Sequence, residues 1–287
     1  MGKRISVKNI AQKKYSLVDG LSKGIKDSLG EIEDTFTAII YGESGHGKTN
    51  MTVQLLKELH PLGSMLYISY EEGHGKSIQD LITRHHLDEE LPNLQFSDGE
   101  TITELIGYLK KKQSPKVIVL DSWQYAEFTF EDYKELKRQF VFGKTAGRRK
   151  IFLFISHVKG STPDGKSAIE VKRDCNIKIH VSHFVGFITS RFSGSIKNYC
   201  IYEAGAKNHY GRDLHKVINK VAVKKGKEAK SGGGKEDKPP SPEGAKEKDT
   251  SPQPLSKKEG QAKKLQLLPP ESEEEKAEVM LKKLKEG

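Results

Sequence analysis

Short apolar and β-branched runs recur along the chain, at residues 36–41, 65–70 ("MLYISY"), 117–121 ("VIVLD") and 151–156 ("IFLFIS"). Between them lie segments whose apolar residues repeat at helical spacing, such as "IQDLITRHHL", "TITELIGYLKKK" and "FEDYKELKRQFVF". This alternation predicts βαβ units: an α/β domain with a mainly parallel central sheet flanked by helices, its active edge at the C-terminal strand ends. "HFVGFITSRF" and "NYCIYEAGAK" read as later strands that close the sheet, with antiparallel pairing open to them.

The pattern stops near Lys224. From there to about residue 270 the chain is rich in Lys, Glu, Gly, Ser and Pro and almost free of aliphatic and aromatic residues. Such a composition cannot bury enough surface to offset chain entropy. The expected organisation is a domain over 1–223, a disordered linker over 224–270 and a short amphipathic helix over 271–287. That last segment has Ser272 and Glu275 at capping-box spacing, acids first, lysines last, and apolar Ala277, Met280, Leu281 and Leu284. A helix so short is marginal alone, so two readings stand equally: it docks on a protein partner or on its own ring, or it is a frayed polar tail.

Charge narrows the partners. Residues 224–287 hold 16 Lys and 13 Asp plus Glu, so the first 223 keep 33 basic and 26 acidic residues, a net charge of +7. A basic globular part favours a polyanion such as nucleic acid. Cys175 and Cys200 are too few for a four-cysteine zinc module or a disulfide framework, and fit a reducing, cytoplasmic setting. No apolar run reaches the length of a membrane span, and "MGKRISVKN" lacks a signal peptide's apolar core. The opening does match the loose myristoylation pattern M-G-x-x-x-[ST].

The chemistry begins after the first apolar run. "YGESGHGKTN", Tyr41 to Asn50, fits G-x-x-x-x-G-K-[ST] from Gly42 to Thr49 and leads into the helical "MTVQLLKEL". The glycines Gly42, Gly45 and Gly47 let the backbone N–H groups converge on an anion. Lys48 then reaches the β/γ-phosphates and Thr49 holds Mg²⁺. The whole stretch Gly42, Glu43, Ser44, Gly45, His46, Gly47, Lys48, Thr49 and Asn50 is therefore the expected ATP-binding segment.

Three other strand ends carry polar residues. "VIVLDS" places Asp121 where a carboxylate can hold Mg²⁺ through water. "YISYEEG" ends in Glu71 and Glu72, either of which can orient and deprotonate an attacking water. "FLFISH" ends in Ser156 and His157, placed to sense a γ-phosphate.

In order, "GESGHGKT", "LYISYEE", "VIVLDS", "LFISHVKG", "RDCNIKI" and "AKNHYG" resemble the RecA-like P-loop ATPases, above all the core of RadA-type DNA-repair proteins, with DnaB-type helicase and KaiC cores related. The resemblance covers Gly42 to Gly211. It implies Glu71 as the catalytic carboxylate, with Glu72 beside it, Asp121 for magnesium, and His157 as the link between nucleotide state and the next loop. That loop, "VKGSTPDGKSAIEVK", corresponds in place to the family's single-stranded DNA loop. "KNHYG" is similar to the Lys-Asn-Arg-Phe-Gly motif of RadA-type proteins and implies that Lys207 reaches a neighbouring subunit's nucleotide. His209 stands where that motif has arginine, and whether Arg212, one residue beyond the motif, supplies the cation instead is left open by the sequence. From these residues neither the zinc module and protease-like domain of RadA-type proteins nor the N-terminal helical domain of DnaB-type helicases is expected.

Lys159, Lys166, Lys172 and Arg173 can track DNA phosphates from that loop. "AGRRK", Ala146 to Lys150, is a second basic cluster, assigned first to structure as a helix end. Trp123, Gln124 and Tyr125 are placed either to stack on bases or to pack in the core or at a subunit contact. The expected function is Mg-ATP hydrolysis coupled to DNA binding, single-stranded, by a homo-oligomeric ring or filament in recombination, repair or replication. Two alternatives stand beside it: a small ring helicase, and a KaiC-like signalling or scaffolding ATPase that binds proteins without DNA.

Overall fold

Six neighbouring parallel strands make most of the sheet, and their order places four of the predicted polar strand ends side by side. The computed structural model describes residues 4–143 and 149–219, all within one compact unit, Met1–Gly226. The linker and the C-terminal helix predicted over 224–270 and 271–287 lie outside the described residues.

The strands are β1 (Thr37–Gly42), β2 (Met65–Ser69), β3 (Leu94–Ser97), β4 (Val117–Asp121), β5 (Ile151–Ser156), β6 (Val158–Lys159), β7 (Thr162–Pro163), β8 (Ile177–Ser182), β9 (Val185–Ser190) and β10 (Tyr199–Cys200). Their order in the main sheet is β10-β9-β8-β1-β5-β4-β2-β3, and β6 and β7 form a separate antiparallel hairpin. Every pairing from β8 across to β3 is parallel, whereas β9 runs antiparallel to β8 and β10 antiparallel to β9. Register aligns the C-terminal ends: Tyr41 opposite Ser156, Gly42 opposite Val181, Ser69 opposite Asp121.

The helices are α1 (Val7–Ala11), α2 (Lys23–Leu29), α3 (Lys48–Leu59), α4 (Lys76–His85), α5 (Leu87–Glu90), α6 (Ile102–Leu109), α7 (Phe130–Leu136), α8 (Lys166–Asp174), α9 (Glu203–Tyr210) and α10 (Leu214–Ile218). The central strands are buried on both faces, so their runs are continuous rather than alternating in hydrophobicity. Successive side chains still point to opposite faces. Ala38 and Ile40 of β1 therefore join one core with Met51, Leu55, Leu56 and Leu59 of α3. Ile39 and Tyr41 join the other, with Leu105 and Leu109 of α6, Tyr133 and Leu136 of α7, and Val171 of α8. Each such fully buried aliphatic side chain contributes roughly 1.5–3 kcal/mol. Capping boxes start α6 (Thr101, Glu104) and α7 (Thr129, Asp132), satisfying N–H groups that a helix leaves free.

The predicted alternation stands, with two local differences. In "NYCIYEAGAK" only Tyr199–Cys200 is strand, and from Glu203 the chain is helical, so Lys207 sits on α9 rather than at the end of a strand. Glu, Ala and Lys favour helix, and β10 has a single partner, β9, to hold it extended. The lysine-bearing loop is likewise shorter than expected. The tight hairpin β6–β7 is followed at once by α8, whose Ala168 and Val171 are buried three residues apart. The strand β3 and the helix α2 had no counterpart among the predicted elements.

Candidate functional site

The phosphate-binding motif joins β1 to α3. Gly42 passes so close to β8 that a Cβ there would stand 2.2 Å from the Val181 carbonyl oxygen. Gly47, at φ 102°, occupies the left-handed region that favours glycine and is the N-cap of α3. The first-turn N–H groups and dipole of α3 thus open onto the loop. The Lys48 ammonium donates to the carbonyls of Gly42 at 2.9 Å and Glu43 at 3.1 Å. Burial lowers the Lys48 pKa, while the charges of Asp121 and Glu71 pull it back up. Glu43 lies 3.6 Å from His46, and Asn50 Oδ1 is 3.1 Å from His85 Nε2 on α4.

At the end of β4, Asp121 accepts a hydrogen bond from the Tyr67 hydroxyl on β2. Burial raises the Asp121 carboxyl above the ordinary aspartate range, and Tyr67 and Lys48 oppose that shift. The peptide following Asp121 is cis. After β2, Glu71 Oε2 lies 2.8 Å from His157 Nε2, which follows β5. Two residues predicted separately, from strands not adjacent in the sheet, are therefore a pair. Glu72 lies beside them, its N–H 3.4 Å from Ser69 Oγ.

Ser44, Gly45, Gly47, Lys48, Thr49, Asn50, Glu71, Glu72, Asp121 and His157 line one cleft of about 520 Å³. The sequence reading missed Tyr67, Ser69, Ser77, Asp80, Arg84 and Phe184, which also line it. Ser77, Asp80 and Arg84 share one face of α4 by their i, i+3, i+7 spacing, a signal visible in the sequence once the helix is placed. Tyr67 reads in sequence as an ordinary strand aromatic, and only the neighbouring strand makes it a partner for Asp121.

Lys207 is not in this cleft. It is exposed and pairs with Glu203 at 2.6 Å on its own helix. His209 stacks on His183, ring centres 3.4 Å apart, and Arg212 is exposed in a short turn after α9. Lys159, Lys166 and Arg173 line a separate open groove of about 410 Å³ beside the hairpin. Lys172 faces elsewhere, its ammonium 4.4 Å from the centre of the Tyr41 ring. Arg149 and Lys150 are structural, although neither lies in a helix: Arg149 is near Asp34 at 3.7 Å and Lys150 is buried with its ammonium 2.8 Å from Ser114 Oγ. Ala146, Gly147 and Arg148 lie outside the described residues.

Trp123 is core: it is buried against Phe128 and Phe154 and donates to Ser167 Oγ at 3.0 Å. Gln124 instead ties the cleft to the hairpin. Its amide donates to Ser156 Oγ at 2.7 Å and to the Asp164 carbonyl at 2.8 Å, and its oxygen accepts from the His157 N–H at 3.2 Å. Tyr125 is exposed near His157, ring centres 6.0 Å apart.

No family model matches the chain, and no curated protein matches it. Among solved structures it is similar to the flagellar accessory protein FlaH from Methanocaldococcus jannaschii, with 15% identity over 64% of this chain and 85% of that one, at a TM-score of 0.40. It is also similar to a KaiC-like protein from the hyperthermophilic archaeon Pyrococcus horikoshii OT3, with 14% identity over 62% of this chain and 89% of that one, at a TM-score of 0.41. The fold class rests on the strand order and register of the chain itself. In the order of its motifs and in its mainly parallel, helix-flanked sheet, the chain resembles the RecA-like P-loop ATPases.

Proposed function

We propose that this chain is a P-loop ATPase that couples Mg-ATP hydrolysis to its grip on single-stranded DNA. The observation that carries the reading is the convergence of Lys48, Thr49, Asp121 and the Glu71–His157 pair on one cleft. A triphosphate lying on the first turn of α3 meets N–H groups without intrahelical acceptors. Lys48 then exchanges the carbonyls of Gly42 and Glu43 for phosphate oxygens.

The Thr49 hydroxyl and the Asp121 carboxylate form the all-oxygen donor set that suits Mg²⁺ carried with a nucleotide, which takes few protein ligands and completes its shell with water and phosphate. The ion's contribution is neutralisation of charge on the β- and γ-phosphates. Glu71 orients a water and takes its proton as the water oxygen bonds to the γ-phosphorus. The bond from that phosphorus to the β,γ-bridging oxygen breaks, and its electron pair leaves with ADP. His157 holds the Glu71 carboxylate in place, and its backbone is bonded through Gln124 to the hairpin.

That connection is the reason to assign DNA to the hairpin. Asp164 N–H donates to the His157 carbonyl at 2.9 Å, so a change at the γ-phosphate that moves His157 moves the groove of Lys159, Lys166 and Arg173. Lys207, outside its own cleft, belongs in this reading to a neighbour's cleft in a homo-oligomer, where a fixed cation stabilises charge on the transferred phosphoryl group.

The test is steady-state ATP hydrolysis with and without single-stranded DNA, with a Lys48→Ala control and a salt titration. Stimulation that fades as salt rises is the expected result. Turnover indifferent to DNA, with no DNA retained at low salt, favours the partner-binding ATPase. ATP-driven opening of a forked duplex favours the ring helicase.

A further inference from the structure

The turn between β8 and β9 consists of His183 and Phe184 alone, and both have positive φ, 45° and 61°. Two-residue hairpins of this geometry favour Asn, Asp or Gly, since a Cβ crowds the backbone in the left-handed region. A bulky aromatic residue there is an outlier that its surroundings must hold in place.

Those surroundings are the phosphate loop on one side and the entry to α9 on the other. The Phe184 N–H donates to the His46 carbonyl at 3.0 Å, and the Phe184 carbonyl accepts from the Ile201 N–H at 2.8 Å. The Phe184 ring fills the space of two absent side chains: a Cβ on Gly47 would lie 2.9 Å from it, and one on Gly205 of α9 only 2.4 Å. His183 makes a parallel bridge, its ring 4.2 Å from that of His46 and 3.4 Å from that of His209. Backbone bonds, a wedge and a ring stack thus join the same two elements, and Phe184 also borders the nucleotide cleft.

We propose that His183 and Phe184 are positioning residues that hold the phosphate loop in its cradle shape and couple nucleotide occupancy to the helix carrying Lys207. The proposal rests on the ATPase reading above. Close-packed contacts with no slack pass a displacement on rather than absorbing it. A phosphate that draws the backbone of His46 and Gly47 toward it therefore shifts the turn, and the turn shifts α9.

The test replaces the turn by the pair its backbone favours, His183→Asn with Phe184→Gly, which relieves the left-handed strain while removing both rings. Loss of the Phe184 ring, which packs against buried core residues, should outweigh the relief of strain and lower the melting temperature, while far-UV circular dichroism shows the variant still folded. ATP affinity by calorimetry should fall about tenfold, within the usual range of site-to-site coupling, with KM raised. Hydrogen exchange in residues 203–210 should slow on adding ATP to the wild type and not to the variant. His183→Asn alone, which keeps the wedge, should give a smaller loss of the same kind, and it decides the matter if the double variant does not fold. Wild-type affinity in the variants, or an ATP response at 203–210 that is absent from the wild type or intact in the variants, overturns the proposal and leaves the ATPase reading standing. A wild-type chain that binds no ATP overturns both.

Discussion

Burial holds the Asp121 carboxyl above the ordinary aspartate range even though Tyr67 and Lys48 favour its charged form. The folded chain therefore binds this proton more tightly than the unfolded chain. Its contribution to stability is fully present below the unfolded pKa of about 3.9 and is lost as pH rises through the folded value. Asp121→Asn keeps an oxygen for the Tyr67 hydroxyl and removes the buried charge. It should raise the stability of the nucleotide-free protein at pH 7 by on the order of 1 kcal/mol while abolishing magnesium-dependent turnover. Melting curves from pH 4 to 8 check this, and a variant less stable than wild type at pH 7 would contradict it. Glu71 is the other residue whose partner fixes a prediction. Glu71→Gln should leave ATP binding intact and slow single-turnover hydrolysis by about 10²–10⁴-fold, while Glu72→Gln should leave both binding and hydrolysis unchanged. The reverse pattern would transfer the catalytic role to Glu72.

Among the elements, the hairpin β6–β7 and helix α8 matter most beyond the cleft itself. Their groove presents Lys159, Lys166 and Arg173 on short, well-anchored structure rather than on a long loop. Each phosphate contact adds about one unit to the salt slope of binding. Lys159→Ala, Lys166→Ala and Arg173→Ala should each lower single-stranded DNA affinity and flatten that slope by about one, measured by anisotropy over a salt series. Lys172→Ala should change the slope little, because that ammonium rests over the Tyr41 ring. The phosphate loop depends equally on α3, whose buried Leu56 anchors it to the core. Leu56→Ala should cost about 2–5 kcal/mol in chemical denaturation.

At the scale of the whole molecule, the position of Lys207 gives the sharpest expectation. It pairs with Glu203 outside its own cleft, and the proposed function assigns it to the nucleotide of a neighbouring chain. Lys48→Ala and Lys207→Ala chains should each be inactive, and mixing them should restore part of the activity. In mixed assemblies an intact cleft on a Lys207→Ala chain meets an intact lysine from its neighbour. No recovery on mixing, with both variants folded, would remove Lys207 from the mechanism. Among the described residues no helix is long and apolar enough to cross a membrane.

The sequence alone determined the features that depend on local spacing. Continuous apolar runs marked the central strands, helical periodicity marked the segments between them, and Gly42 to Thr49 announced the phosphate loop because strand, glycine turn and helix are contiguous in the chain. It also located Asp121, Glu71 and His157 at strand ends. Only the tertiary structure decided what these groups do to one another. The order β1-β5-β4-β2 sets Glu71 against His157 and Tyr67 against Asp121, pairings between residues 86 and 54 positions apart that no local pattern encodes. Packing decided the lysine segment, where burial of Ala168 and Val171 turned an expected loop into a helix. It also decided the His183–Phe184 turn, whose residues contradict the local preference for Asn or Gly because contacts from two distant elements hold them there.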